Sequence, residues 1–340
     1  MLGHMNRNLW TAARHSEILR PVLNVTFILL CGPVQAEGWQ AVTHFLGRQG
    51  DLQGEIFRVT IPRNDLNVSI KGIPLEPELG LTNWFTFKPL AKGCLLRGQL
   101  VLLEGEARKT IARLEKRGFQ TNPLPLQFPN MNPPIQYVEI SGQGSGAHLA
   151  EVLRESLPFL GPLPVVSLTP QVESIPKPSL TPTPPIGKPV LGNYWSKIES
   201  LLGPGQPFGD CLLYEVPVRE RIQERGVEIP PAMGMETQFR FQKVRGMALS
   251  GGRFMGLFPS STPSHDVVAV MGEFLVNNGE EERISKSLSK NHFLVAAICP
   301  VPWEDNPRHS FLHFWALGDP AEIAGGLKTA LNLMATDANP

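Results

Sequence analysis

Two kinds of hydrophobic pattern alternate along this chain. Residues 55–62 and 211–218 alternate between apolar and polar positions, which is typical of half-buried strands. Residues 106–118 and 280–291 repeat their apolar positions with the period of an amphipathic helix. Together with the shorter apolar runs around them, these segments predict the order ββββ-α-ββ-α. This order occurs twice, and each copy follows a short opening helix.

The same order occurs twice because the sequence is internally repeated. Residues 98–157 align with 272–331 without a gap, and 13 of these 60 positions are identical. A second ungapped block aligns residues 72–88 with 226–242. Repetition at this spacing indicates a duplicated folding unit. We predict an α+β fold of two homologous repeats, each a mostly antiparallel sheet with about two to three helices.

Composition shifts set the boundaries of these repeats. The first is predicted at 37–160 and the second at 193–335, with a Pro-rich linker at 161–192. The second repeat carries about 20 extra residues near 244–263, rich in Gly, Ser and Met, which we expect to form a loop. The sequence leaves open whether the two repeats pack together.

The N-terminus has the plan of a secretory signal. Arg7, Arg14 and Arg20 precede an apolar run at 22–31, and small residues lead to Ala36. We predict that residues 1–36 are a signal peptide and that the mature chain is secreted or periplasmic. A membrane anchor and a misplaced start are the alternatives. No later stretch is long and apolar enough to predict a membrane span.

Charge and cysteine content narrow the function classes. The formal net charge is zero, and no basic stripe with interleaved aromatic residues is present, which argues against a nucleic-acid partner. After removal of the signal, Cys94, Cys211 and Cys299 remain. They are compatible with one disulfide and one free thiol, or with three buried thiols.

A cluster of metal-type side chains lies near the end of the second repeat. It contains Cys299, Trp303, Glu304, Asp305, His309 and His313. Only Cys299 and His313 fall on strands that we expect to converge, whereas a transition-metal site needs three or four donors. The simpler interpretation is a buried thiol and a histidine within a strand.

Two further segments of the sequence could bind a ligand. Arg63 and Asp65 are two residues apart in a strand and so share a face, as an ion pair or as ligand contacts. Gly142–Gly146 precedes a helix and could hold a phosphate. The equivalent segment of the second repeat contains Asp319, a natural helix cap, which favours a capping role for Ser145 as well.

The ordered set of motifs resembles the LppY/LpqO family of bacterial exported proteins, whose domain function is largely unassigned. The resemblance covers nearly the whole mature chain, and both repeats look diverged. Its carriers are Trp39, Leu46, Gly47, Pro62, Arg63, Asn64, Asp65, Gly72, Trp84, Phe87, Gly98–Leu102 and Phe311–Trp315.

The resemblance implies a three-histidine cluster suited to a divalent metal such as zinc or manganese. In the second repeat its positions fall on Cys299, Val301 and His313, so only one histidine is kept. In the first repeat they fall on Pro125, Gln127 and Glu139. Two strong donors do not hold an ion tightly, so we expect no resident cofactor, with a bound divalent metal as the alternative.

We therefore expect a non-catalytic exported binding or accessory protein. Its ligand is an unknown small molecule or envelope component, and the expected ligand-binding residues are Arg63, Asp65, Trp84 and Glu304. Two alternatives stay open. One is a secreted metal-dependent enzyme with a residual site near Cys299, Glu304 and His313, and the other is an envelope scaffold.

Overall fold

The computed structural model describes residues 35–160, 193–217, 220–244, 267–304 and 309–336. The predicted signal peptide up to residue 34, the Pro-rich linker at 161–192, residues 245–263 of the extra loop, and Asp305 all lie outside these ranges. No helix among the described residues is long and apolar enough to cross a membrane.

Each repeat contributes three α-helices to the described part of the chain. The first repeat has α1 (Gln35–Leu46), α2 (Glu104–Lys116) and α3 (Gly146–Ser156), and the second has α4 (Asn193–Leu202), α5 (Glu281–Lys290) and α6 (Pro320–Thr336). Short 3-10 turns occur at Pro77–Leu79, Pro158–Leu160 and Pro231–Met233.

The strands follow the same duplicated order. The first repeat contains β1 (Asp51–Gln53), β2 (Ile56–Pro62), β3 (Ser69–Ile70), β4 (Ile73–Pro74), β5 (Thr82–Pro89), β6 (Cys94–Leu103), β7 (Gln120–Pro123), β8 (Met131–Asn132) and β9 (Ile135–Gly144). The second contains β10 (Gln206–Phe208), β11 (Cys211–Pro217), β12 (Ile222–Glu224), β13 (Val227–Ile229), β14 (Glu236–Lys243), β15 (Val268–Asn277), β16 (Leu294–Pro300) and β17 (His309–Gly318). Strand β7 ends at Pro123, because prolines at 123 and 125 remove the N–H groups needed to continue it.

The two six-stranded sheets have the same topology. Their orders are β1-β2-β5-β6-β9-β7 and β10-β11-β14-β15-β17-β16, and all neighbours are antiparallel. The registers agree as well, since Gln99 faces Glu139 on β9 and the equivalent Glu273 faces His313 on β17. The predicted α+β fold with two homologous repeats is confirmed.

A shared contact explains one identity between the repeats. The Glu106 side chain accepts a hydrogen bond from the backbone N–H of Leu103 at 2.9 Å, where β6 passes into α2. The equivalent Glu280 accepts one from Asn277 at 2.8 Å, before α5. Each carboxylate satisfies a backbone donor at a strand-to-helix junction, which is why both copies retain this residue.

Helix starts also decide the role of the glycine-rich segment. Ser145 is the N-cap of α3, and its Oγ accepts a hydrogen bond from His148 N at 3.3 Å. Asp319 caps α6 through Ala321 N at 2.8 Å. The equivalent positions therefore have the same capping role, as expected.

Each sheet packs its own helices against one face. In the first repeat Phe85 and Phe87 of β5 share an apolar core with Leu114 and Leu153 of the helices. In the second repeat the core includes Phe239, Phe241, Leu288 and Leu327. The opposite face of each sheet is turned toward the other repeat.

Two further apolar cores contain residues of both repeats. One joins Val101 and Tyr137 of the first repeat to Met271 and Trp315 of the second. The other includes Leu95 and Phe311. The two repeats therefore pack together face to face, which answers the question that the sequence left open.

Two short arms interlock the repeats. Arm one (residues 68–81) comprises β3, β4 and the turn Pro77–Leu79, and arm two (residues 222–235) comprises β12, β13 and the turn Pro231–Met233. Leu79 of arm one shares a core with Trp315 of the second sheet. The equivalent Met233 of arm two shares a core with Leu95 of the first sheet. The arms therefore pack reciprocally.

Glycine is needed where the arms approach the opposite repeat. A Cβ on Gly80 would lie 2.3 Å from Met271 Sδ, and one on Gly234 would lie 2.5 Å from the Trp84 ring. Both glycines also have positive φ, 138° and 82°. Close approach and backbone conformation together exclude larger residues at these two equivalent positions.

The described cysteines are all free thiols. Cys94, Cys211 and Cys299 are buried and unpaired with one another. The structure thus agrees with the three-thiol alternative. Burial raises the pKa of Cys94 to about 11.

Candidate functional site

Polar side chains form a layer between the two sheets. They stand on the face that each sheet turns toward the other repeat, at alternate positions of central strands. The first repeat contributes Arg97, Gln99, Glu139 and Ser141, and the second contributes Glu236, Gln238, Arg240, Glu273 and His313. Most of these side chains are buried. A buried polar layer inside an otherwise apolar interface is the strongest candidate for a functional site.

His313 is held near the middle of β17 by its neighbours. Its Nδ1 lies 3.2 Å from Glu273 Oε2 on β15. Cys299 lies on the adjacent strand β16, so the structure brings the two predicted metal-type residues together. Burial by itself lowers the pKa of His313, but the Cys299 thiol and the Glu273 carboxylate outweigh burial and raise it to about 9.

Glu139 occupies the position of His313 in the first repeat. Asn122 Nδ2 donates a hydrogen bond to Glu139 Oε2 at 2.9 Å. Burial raises the pKa of Glu139, which Arg97, Asn122 and His313 oppose and Glu273 reinforces. The equivalent positions of the two repeats therefore interact electrostatically across the interface.

An inter-repeat cavity of about 50 Å³ opens beside His313. This volume holds roughly three or four water-sized groups. One side is polar, with Thr82, Trp84, Gln99, Tyr137, Gln238, Arg240, Glu273 and His313; the other is apolar, with Leu79, Leu126, Phe128 and Met271. Trp84, which the sequence analysis named as ligand-binding, does line this cavity.

Three buried polar atoms at the cavity have no hydrogen-bond partner among the described residues. They are Tyr137 Oη, His313 Nε2 and Arg240 Nε. The Tyr137 and His313 residues are each 4% exposed. Since nearly all buried polar atoms in folded proteins are paired, three such atoms around one cavity indicate a place for a ligand.

Buried ion pairs lie in the same interface between the repeats as the cavity. Arg97 Nη1 contacts Glu224 Oε2 of arm two at 3.0 Å, and Ser141 Oγ donates to Glu224 Oε1 at 2.9 Å. Arg58 Nη1 lies 3.5 Å from Glu236 Oε1. Burial, with the nearby Glu215 charge, raises the pKa of Glu236 to about 7 despite Arg58. These pairs link the first sheet to the second repeat.

Glu304 lies apart from the cavity. Its carboxylate contacts His309 Nδ1 and accepts a hydrogen bond from His309 N at 2.7 Å. His309 precedes His313 by four residues of β17, which separates the two by about 13 Å along an extended strand. The structure therefore groups Glu304 with His309, and Cys299 with His313.

Arg63 and Asp65 lie at another place in the first repeat. The Arg63 guanidinium is 1% exposed and donates to both Asp65 carboxylate oxygens at 2.8 and 2.9 Å. It also donates to Glu106 and to the Val101 carbonyl. Hydrogen bonding to Arg63 lowers the pKa of Asp65. Asp65 borders a separate pocket of about 400 Å³, but Arg63 is already satisfied within the fold.

The donors present do not fit the metal cluster that the resemblance implies. Within the ranges that the structure describes, no group of three or more His, Cys, Asp or Glu side chains is arranged to hold a metal ion. His313 Nδ1 instead faces the Glu273 carboxylate. A divalent ion at Cys299 and His313 stays a prediction.

Sequence reasoning missed Tyr137, Arg240 and Glu273. Each lies at an inward position of a central strand, among apolar neighbours on both faces. The sequence pattern that could have revealed them is a polar residue at alternate positions of a strand. Such a strand is otherwise so apolar that both of its faces are expected to be buried. Glu273 was the easiest of the three to find from the sequence. The repeat alignment pairs Gln99 with Glu273 and Glu139 with His313, so it places two pairs of polar residues at equivalent positions.

Comparison with known families agrees with this duplicated architecture. The family model described as Domain of Unknown Function (DUF1259) matches residues 40–158 and 256–333, just over half of the chain. The chain belongs to this family. The first DUF1259 match covers most of the first repeat, and the second covers the part of the second repeat that contributes His313 and Cys299.

The DUF1259 match leaves out residues 193–255. This part of the second repeat includes β14, which contributes Gln238 and Arg240 to the polar layer, and arm two, whose Glu224 pairs with Arg97 of that layer. A search of curated proteins and a search of solved structures find no match.

Proposed function

We propose that this DUF1259 protein is an exported, non-catalytic binding or accessory protein of the LppY/LpqO type. Its ligand is a small molecule with polar groups, held in the inter-repeat cavity. The N-terminal signal pattern supports export. The resemblance of the ordered sequence motifs supports the narrower family.

The inter-repeat cavity is the observation that carries this proposal. Tyr137 Oη and His313 Nε2 are buried there without a partner among the described residues. Leaving a buried polar group unpaired costs about 1–3 kcal/mol. A ligand that accepts hydrogen bonds from these atoms removes that cost, so pairing them contributes to binding.

The surroundings of His313 favour binding over catalysis. A histidine paired with a carboxylate could serve as a general base, but a pKa of about 9 keeps this ring protonated at neutral pH. The Cys299 thiol, on the strand next to His313, is 2% exposed and does not line the cavity. A substrate in the cavity would therefore not reach this thiol.

Calorimetric titration of the purified mature chain tests this function. The probes are acetate, acetamide, ethylamine and inorganic phosphate, and we expect at least one to bind saturably. Tyr137→Phe should weaken that binding. Tyr214→Phe is the matched control, since its hydroxyl donates to the Gly203 carbonyl at 2.8 Å on the helix side of the second sheet.

If Tyr214→Phe lost binding and Tyr137→Phe kept it, the ligand would not bind in the inter-repeat cavity. Absence of binding by every probe, together with a crystal structure showing only ordered water in the cavity, would overturn the function. Stoichiometric zinc or manganese that disappears in His313→Ala would favour the metal-dependent enzyme instead. An uncleaved N-terminus in cytoplasmic material, found by N-terminal sequencing, would refute export.

A further inference from the structure

We propose that the ligand of the inter-repeat cavity is a small aliphatic monocarboxylate, with its carboxylate at Tyr137, His313 and Arg240. This inference deepens the proposed function and rests on it. It concerns the chemistry of the ligand, which neither the family nor the sequence specifies.

The unpaired atoms of the cavity are suited to an oxyanion. Arg240 Nε can only donate, because a guanidinium has no acceptor. The Tyr137 hydroxyl can donate as well. His313 Nδ1 faces Glu273, which leaves Nε2 as the ring atom directed away from that carboxylate. Three donors around one small space match the several lone pairs of a carboxylate, and hydrogen bonds to a charged acceptor are the stronger kind.

The charge of Arg240 gives a second reason. Its Nε has no partner among the described residues, and Gln238 Oε1, which accepts from the other end of this guanidinium, carries no formal charge. Burial and the nearby Arg58 lower the pKa of Arg240, whereas the Glu273 and Glu215 carboxylates raise it. An anion at Nε would add a direct contact to this charge.

The remaining lining limits the ligand to a short apolar tail. Leu79, Leu126, Phe128 and Met271 form the wall that faces the polar side. Inorganic phosphate has nothing to place against such a wall, whereas a methyl or ethyl group would bury apolar surface there. A volume of about 50 Å³ fits a molecule of the size of acetate or propionate.

Arg63 and the Glu304–His309 pair are weaker candidates for an anion site. Arg63 donates five hydrogen bonds and has no donor left over for a ligand. Glu304 already occupies His309 Nδ1.

The test compares acetate and propionate with acetamide, ethylamine and phosphate by calorimetric titration of the full chain, with sodium chloride balancing the ionic strength. Acetate and acetamide have nearly the same shape, so their difference isolates charge. We expect the two carboxylates to bind with Kd between roughly 10 µM and 10 mM, since so few atoms limit affinity. Acetamide and phosphate should bind at least about tenfold more weakly.

Tyr137→Phe should weaken propionate binding about tenfold or more, because a hydrogen bond to a charged group is lost. Tyr214→Phe should leave it unchanged. Tyr137→Phe removes a hydroxyl that has no partner among the described residues, so the fold does not depend on this hydroxyl. A crystal structure of the wild-type protein with propionate provides a second measurement. The carboxylate should appear beside Tyr137 Oη and His313 Nε2.

The outcomes separate this inference from the function on which it rests. If acetamide or ethylamine bound as tightly as acetate, the proposal of a carboxylate ligand would be refuted, whereas the proposed binding function would stand. Phosphate binding more tightly than propionate would refute the apolar tail. If no probe bound, both proposals would fail.

Discussion

His313 combines two opposing influences on one imidazole. Burial favours the neutral ring, whereas Glu273 and Cys299 favour the charged ring, and the charged form wins with a pKa of about 9. The unfolded chain gives a histidine its ordinary pKa of about 6.5. The folded protein therefore holds a proton on His313 over a range of pH in which the unfolded chain has released it.

This difference predicts a pH-dependent stability. The folded pKa is raised, so the stabilisation is fully present below pH 6.5 and is lost as the pH rises toward 9. We expect the contribution of His313 to the free energy of unfolding to fall by roughly 2 kcal/mol between pH 6.5 and 8.5. Urea denaturation of wild type and of His313→Gln, compared at each pH, measures it.

The comparison isolates His313 because other titrating groups are common to both proteins. His148→Gln is the matched control, since His148 is half exposed, with 53% of its side chain accessible. The control should follow the wild-type curve. A His313→Gln curve parallel to wild type from pH 6.5 to 8.5 would show that folding does not raise the pKa of this ring.

At the scale of elements, each arm meets the opposite sheet at an equivalent point, but with different chemistry. Arm two places Glu224 against Arg97 of β6, both almost fully buried. Extending the two aligned blocks by two residues and by one residue gives Ile70 of arm one and Met271 of β15 as the equivalents. These two residues share an apolar core. The same architecture thus tolerates an ion pair at one arm and an apolar pair at the other.

This contrast supplies a double-mutant experiment within one molecule. Arg97→Met or Glu224→Ile alone should destabilise the fold by about 3–5 kcal/mol, because each leaves a buried charge without its partner. The double substitution copies the other arm and should lie within about 2 kcal/mol of wild type, since a well-packed apolar pair replaces the ion pair. Urea denaturation of the four proteins gives the coupling energy. Additive losses in the double variant would contradict the account.

The elements also show how far the sequence could lead. The helices α2 and α5 were predictable because each has a full amphipathic period and a repeat equivalent. The arms were not, because strands of two or three residues are too short to show a period. Arg97 and Glu224 lie 127 residues apart in the chain, so no local pattern joins them. His313 and Cys299 could be found as residue types on adjacent strands, whereas the cavity depends on how two sheets face each other.

At the scale of the whole molecule, the interface between the two repeats is a hydrophobic core, as is the interior of each repeat. Two of the four apolar cores formed by the described residues contain side chains of both repeats, and the arms cross between the repeats. A repeat alone would expose Tyr137, Met271 or Trp315 to water. Large apolar interfaces of this kind are typical of obligate partners rather than of domains that move freely.

The two repeats should therefore stay together after the linker is cut. A protease site placed between residues 165 and 185 of the predicted linker would separate the covalent halves. We expect the cleaved halves to co-elute on gel filtration at about 1 µM and to unfold in a single urea transition, because both inter-repeat cores persist. The midpoint should fall with dilution, since cutting turns folding into an association. The unmodified chain, treated with the same protease, is the control. Halves that eluted apart, or two separate transitions, would mean that the repeats are independent domains, and the cavity between them could then not be a fixed binding site.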